Sequence, residues 1–164
     1  MTRVPIDQPL LPSVLDRLVD DDPTSEREAP KSQNQLLRDL KQSVRRDLEN
    51  LLNTRRRLGG APPELSDLER SLVAYGLPDI TGLDLASASR RAEFTGSIEE
   101  VLRKYEPRFS GVRVHLLDNT DQTDRTLRFR IDALLRAEPA PEPVVFDTSL
   151  EPATGTIEVK RAGP

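Results

Sequence analysis

Residues 127–135 read Leu-Arg-Phe-Arg-Ile-Asp-Ala-Leu-Leu. Leu127, Phe129, Ile131, Ala133 and Leu135 alternate with Arg128, Arg130, Asp132, Leu134 and then Arg136. A period of two sends successive side chains to opposite faces, so the stretch predicts a long strand, half buried, over about 126–136. Just upstream, Val112, Val114 and Leu116 alternate with Arg113, His115 and Leu117, which predicts a strand over about 111–117. The polar connection Asn119–Asp124 makes the pair an antiparallel hairpin. Downstream, Glu138-Pro139-Ala140-Pro141-Glu142-Pro143 reads as a stiff linker. Two short strands follow, about 144–148 and 156–160, around a turn at Pro152–Gly155.

Before the hairpin the period is 3.6. Leu36, Leu37, Leu40, Val44, Leu48, Leu51 and Leu52 recur at three- and four-residue spacing, an apolar stripe on a helix over about 34–55. Ser32-Gln33-Asn34-Gln35 is its capping box. Arg55-Arg56-Arg57-Leu58-Gly59-Gly60 should end it, with arginines against the macrodipole and glycine for a left-handed cap. Two further boxes, Ser66–Glu69 and Ser97–Glu100, start helices over about 66–75 and 97–105, and a weaker helix is expected over about 87–94. Pro107 biases Glu106 away from the helical region, which stops the last of them. Helices first and strands afterwards give an α+β class: N-terminal helices packed on a small, mostly antiparallel C-terminal sheet. Residues 32–164 are expected to form one domain. Residues 1–31 carry five of the 14 prolines and read as a flexible segment. Within it, a short docking helix near 13–19 would offer Val14, Leu15, Leu18 and Val19 on one face to a partner or to the domain.

Composition narrows the function classes. The chain has 164 residues, no Cys, no Trp and one His, which excludes a thiol nucleophile, a Cys-ligated metal and a His-based triad. The longest apolar run is Leu72–Tyr75, far short of the ~18 residues of a membrane span and of the ~7–15 of a signal-peptide core. A soluble cytoplasmic chain with no direct membrane insertion is therefore expected. A net charge of −4 disfavours general nucleic-acid binding.

Four constellations invite chemistry. Glu93, Glu99, Glu100 and Glu106 lie close in sequence, and a glycosidase needs two carboxylates flanking its sugar. Glu99 and Glu100 equally suit the first turn of a helix, where negative charge is stabilised. The run Arg38–Arg57 holds an excess of basic residues that could grip phosphates, in which case Arg45, Arg46 and Arg55–Arg57 would make a nucleic-acid adaptor. More often such a run is a solvated helix face with a favourable C-terminal charge, and a third reading is a dock for an acidic partner. His115 sits on an alternating strand with no second ligand nearby. Glu106-Pro107-Arg108 flanks a rigid proline with a carboxylate and a guanidinium suited to bidentate pairing. Its plain reading is a turn with two solvated charges.

Several motifs then fall in a recognisable order: Leu51-Leu52-Asn53-Thr54-Arg55-Arg56, Tyr75-Gly76-Leu77-Pro78-Asp79-Ile80-Thr81-Gly82, Tyr105-Glu106-Pro107-Arg108-Phe109, the Leu127–Leu135 strand and Phe146-Asp147-Thr148. Ser13–Pro23, with Arg17-Leu18 and Asp20-Asp21-Asp22-Pro23, precedes them. In this order the chain resembles the TssE family, baseplate subunits of the bacterial type VI secretion system. That family is related to the lysozyme-like baseplate wedge proteins of contractile-tailed phages. The Gly/Pro-rich stretch Arg57–Asp67 departs from the pattern, and no function carries onto it. The resemblance implies a structural protein without catalytic residues, metal or cofactor. Its partners would be the wedge proteins TssF, TssG and TssK and the sheath proteins TssB and TssC, in a baseplate docked at the inner membrane. Glu106, Pro107 and Arg108, with Arg55 and Arg56, would dock in the wedge. The last hairpin would accept a sheath strand along Ile157, Glu158 and Val159, because an edge strand leaves unpaired donors and acceptors.

Overall fold

The structure is a computed structural model that describes residues 13–18, 31–56, 64–65, 67–68, 71–78, 87–118, 124, 126–137, 140–151 and 153–162. The linker expected at Pro23–Pro30, the stretch from Arg57, the loop at 79–86 and the connection at 119–123 lie outside these residues.

Helix α1 is Val14–Leu18, α2 is Gln33–Asn53 and α3 is Ala88–Tyr105. Strands β1 (Phe109–Leu117), β2 (Leu127–Leu135), β3 (Glu142–Glu151) and β4 (Thr156–Arg161) follow. They form one antiparallel meander in the order β1-β2-β3-β4, so β1 and β4 are its edges. The class is α+β, as the change of period from 3.6 to 2 predicts.

The alternation fixes the core. Phe129, Ile131, Ala133 and Leu135 of β2 face inward beside Val112 and Val114, Val144, Phe146 and Leu150, and Ile157 and Val159. Against them lie Leu40, Val44, Leu48, Leu51 and Leu52 of α2 and Phe94, Ile98, Val101 and Leu102 of α3. Phe94 meets Phe129 edge-to-face at 5.9 Å between ring centres. The opposite sheet face carries cross-strand charges such as Arg130–Asp147 at 2.8 Å.

Three element expectations need correction. The two helices expected at 87–94 and 97–105 are one helix, α3, which passes through Gly96. Ser97 does not cap; its hydroxyl donates back to the Phe94 carbonyl at 2.8 Å. One continuous apolar face from Phe94 to Leu102 outweighs the ~1 kcal/mol that a mid-helix glycine costs. The helix expected at 66–75 is, among the described residues, short turns that end in a 3-10 turn at Leu72–Ala74. Leu72 and Val73 face solvent there, so no apolar burial extends the turn. The linker ends earlier than expected, because Glu142 and Pro143 already belong to β3. Val145 presents its carbonyl to Ala162 of the β4 side. Pro143 has the same parity, so its missing N–H lies on the β4 side but outside the Thr156–Arg161 strand.

Helix α2 starts as read, with both halves of the Ser32–Gln35 capping box formed. Its end differs. Thr54 turns the chain to extended geometry at φ −83°, without a left-handed glycine. The extended backbone then pairs with the next segment: Leu77 N–H donates to the Thr54 carbonyl at 2.9 Å and Arg56 N–H to the Leu77 carbonyl at 2.7 Å. Gly76 makes this possible with φ +104°. A Cβ there would lie 2.4 Å from the Thr54 oxygen.

Candidate partner-docking site

Residues on α2 organise a charged clasp. Ser43, Arg46 and Asp47 recur at three- and four-residue spacing and so share one face. On that face the Arg108 guanidinium donates to both Glu106 carboxylate oxygens, Nε at 2.6 Å and Nη2 at 2.5 Å. It also donates to Asp47 at 2.7 Å and to the Ser43 hydroxyl at 3.2 Å. Glu106 is only 5% exposed. Burial alone would lower the Arg108 pKa; the hydrogen bond and charge of Glu106, followed by Asp47, reverse this and raise it above the usual guanidinium value.

The clasp continues to α1. Arg46 bridges Asp47 at 3.2 Å and Asp16 at 2.6 Å. Asp16 also accepts from the Ser43 and Ser13 hydroxyls, each at 2.6 Å. Burial would raise the Asp16 pKa, but these hydrogen bonds from Ser13, Ser43 and Arg46 carry it well below the usual carboxylate range. Helix α1 is therefore held by its polar side, and Val14, Leu15 and Leu18 face solvent. The Tyr75 and Tyr105 rings meet edge-to-face at 5.1 Å close to this cluster. Burial, then the charges of Asp47 and Glu106, raise the Tyr75 pKa.

The expected docking set is thus divided. Glu106 and Arg108 come together, but they face each other and α2; they are not two solvated heads. Pro107 between them is exposed. Arg55 lies elsewhere, donating to the Leu52 carbonyl and to the Gly155 carbonyl of the β3–β4 turn. Arg56 is exposed. Sequence reasoning missed Asp47, Ser43, Arg46 and Asp16 as partners. The spacing of Ser43, Arg46 and Asp47 was the available signal, but nothing local ties it to residues 16 or 108.

The other expected residues lie on β4. Ile157 and Val159 bury their side chains, and Glu158 is exposed beside Lys160 at 2.9 Å. The outward backbone of this edge is occupied. Asn53 Oδ1 accepts from Ile157 N–H at 2.8 Å, and Asn53 Nδ2 donates to the Ile157 carbonyl at 2.7 Å. Arg45 Nη1 donates to the Val159 carbonyl at 3.2 Å. The β1 edge is covered likewise: Val114 N–H donates to Glu99 at 2.9 Å.

These commitments bear on the rival chemistries. Glu99 serves the β1 edge and Arg103, and Glu106 serves Arg108. Arg45, Arg46 and Arg55 are turned to Glu49, to Asp16 and Asp47, and to backbone carbonyls. His115 lies 3.5 Å from Asp132 on the exposed sheet face. Among the described residues no group of three or more His, Asp or Glu is arranged to hold a metal ion, and no helix is long and apolar enough to cross a membrane.

Helices laid on one face of a small antiparallel meander and braced by internal ion pairs define an α+β protein. The chain belongs to the family described as baseplate wedge protein gp25, whose model matches residues 38–140. This is the family of TssE. The match starts within α2, takes in α3, β1 and β2 and contains the whole Glu106–Arg108 tripeptide; β3 and β4 follow it. No curated protein matches the chain.

Proposed function

We propose that the chain is a baseplate subunit of a type VI secretion system, seated in the wedge with TssF, TssG and TssK at the inner membrane, and that it templates the first sheath ring of TssB and TssC by strand addition. The observation that carries this reading is the position of β4: the last strand of an antiparallel meander, paired with a strand on one side only, its outward backbone met by side chains of α2 rather than by another strand. The wedge-facing surface is the exposed Pro107 corner together with Val14, Leu15 and Leu18 of α1. The clasp Asp16–Arg46–Asp47–Arg108–Glu106 joins these two pieces across α2. Glu106 and Arg108 position that corner, Arg55 holds the β3–β4 turn, and Arg56 adds an exposed cation. The sheath-facing surface is the Ile157–Val159 edge.

Val159→Pro tests the reading. The hydrogen bonds of Ile157 and Val159 to α2 show that odd-numbered residues of β4 point their backbone groups outward. Proline at 159 therefore deletes an edge donor and leaves the ladder to β3 intact. The variant should still co-purify with TssF and TssG while sheath extension is lost. Normal sheaths on the variant would overturn the strand-addition reading.

A further inference from the structure

The carbonyls along β4 and the turn that leads into it are taken in sequence by side chains of α2 and the residues just after it. Arg55 donates to Gly155, Asn53 to Ile157 and Arg45 to Val159. The helix numbers rise as the strand numbers fall, so α2 runs antiparallel along the edge like a neighbouring strand. Asn53 completes the likeness. Its planar carboxamide offers one N–H donor and one carbonyl acceptor to a single residue, as an adjacent strand would. We infer that α2 holds the β4 edge shut and that Asn53 is the latch an incoming extended segment must displace; this rests on the reading of β4 as the strand acceptor.

The β1 edge shows why β4 is the edge that opens. It is closed by Glu99 on Val114 N–H and Arg103 on the Val112 carbonyl at 3.4 Å. The Glu99 side chain is 14% exposed and paired with Arg103 at 2.5 Å. Burial would raise its pKa, yet the Val114 hydrogen bond and Arg103 hold it below the usual range. A strand that displaced Glu99 would strand a half-desolvated carboxylate. Asn53 is neutral and exposed, so its amide passes to water when it leaves. The newcomer replaces its two bonds with two of its own and reaches the outward N–H of Val159 as well. Competition between equal bonds admits a segment that extends along several residues and rejects a short accidental contact. The latch thus protects the free subunit without blocking assembly.

The test uses the full chain with Asn53→Ala, at an exposed position where alanine suits the helix end. Amide exchange is read at Ile157, and sheath initiation is counted in cells that carry the variant. The expected result is exchange faster by roughly tenfold at Ile157, with exchange in the β2 core unchanged, and more sheath starts than in wild type. Unchanged exchange at Ile157 would overturn the latch. Faster exchange with unchanged initiation, while Val159→Pro still abolishes sheaths, would also overturn it and leave strand addition standing. Normal sheaths with Val159→Pro would remove strand addition itself and reduce Asn53 to edge protection. Arg161→Pro, with an outward N–H at an exposed side chain, repeats the comparison should Val159→Pro fail to fold.

Discussion

The aliphatic layer between α2, α3 and the sheet and the charged clasp around Arg108 hold neighbouring elements together by different physics. In the layer, Leu48, Leu52, Ile98, Leu102, Phe129 and Ile131 are fully buried. Each contact is weak and non-directional, so the layer tolerates change of shape and fails in proportion to lost volume. In the clasp, five charged groups from α1, α2 and the α3–β1 corner alternate in sign, each paired with its neighbours. Removing one member leaves its partner unpaired in a partly desolvated site, so loss is abrupt and set by geometry. The layer makes the fold; the clasp sets where the α1 and Pro107 surfaces stand.

Phe129→Ala should produce the largest effect, because it empties the centre of the layer and removes the partner of Phe94. A loss of ~3–5 kcal/mol is expected in urea unfolding, with the slope unchanged. A loss under ~1 kcal/mol would mean that the helices do not pack there as described.

Arg108→Ala should cost about 2–4 kcal/mol, since it leaves Glu106 buried and alone beside Asp47. Arg108→Lys should recover only part, because one ammonium cannot span the two Glu106 oxygens and Asp47 at once. The double variant Asp47→Ala/Arg108→Ala should lose less than the sum of the single losses, by ~1–2 kcal/mol. Additive losses would show the two groups to be independent and break the contrast between clasp and layer.

These two regions were not equally legible. The stripe of α2 and the alternation of β1 and β2 are written in residues a few positions apart, and the elements stand where the periods put them. The capping signal at Ser97–Glu100 misled because the helix capped at Ser87 runs straight through it, and Ser97 donates back to the Phe94 carbonyl instead of capping. Pro143 misled because its missing N–H falls outside the Thr156–Arg161 strand, at the start of β3. The clasp joins residues 16, 46–47 and 106–108, so Glu106-Pro107-Arg108 could be marked as unusual but not given its partners. Asn53 had no local sign of its bond to Ile157, 104 residues away.

The smallest effect should come from the outer end of the clasp, and pH reads it. Asp16 has a folded pKa held below its ordinary value of 3.8, so its ionised form favours the docked α1. A depressed folded pKa gives stability that is complete above the unfolded value and lost as pH falls through the folded one. The difference in unfolding free energy between wild type and Asp16→Asn should therefore be flat from pH 7 to about 5 and shrink below about pH 4. Its plateau should be on the order of 1 kcal/mol, because Asn keeps hydrogen bonds to Ser13 and Ser43 and loses only the charge toward Arg46. Core amides should be indifferent to the substitution, whereas exchange in α1 should quicken with it. A difference that stayed constant to pH 2.5, or one that appeared equally in the β2 amides, would place Asp16 outside the clasp and make α1 part of the aliphatic layer after all.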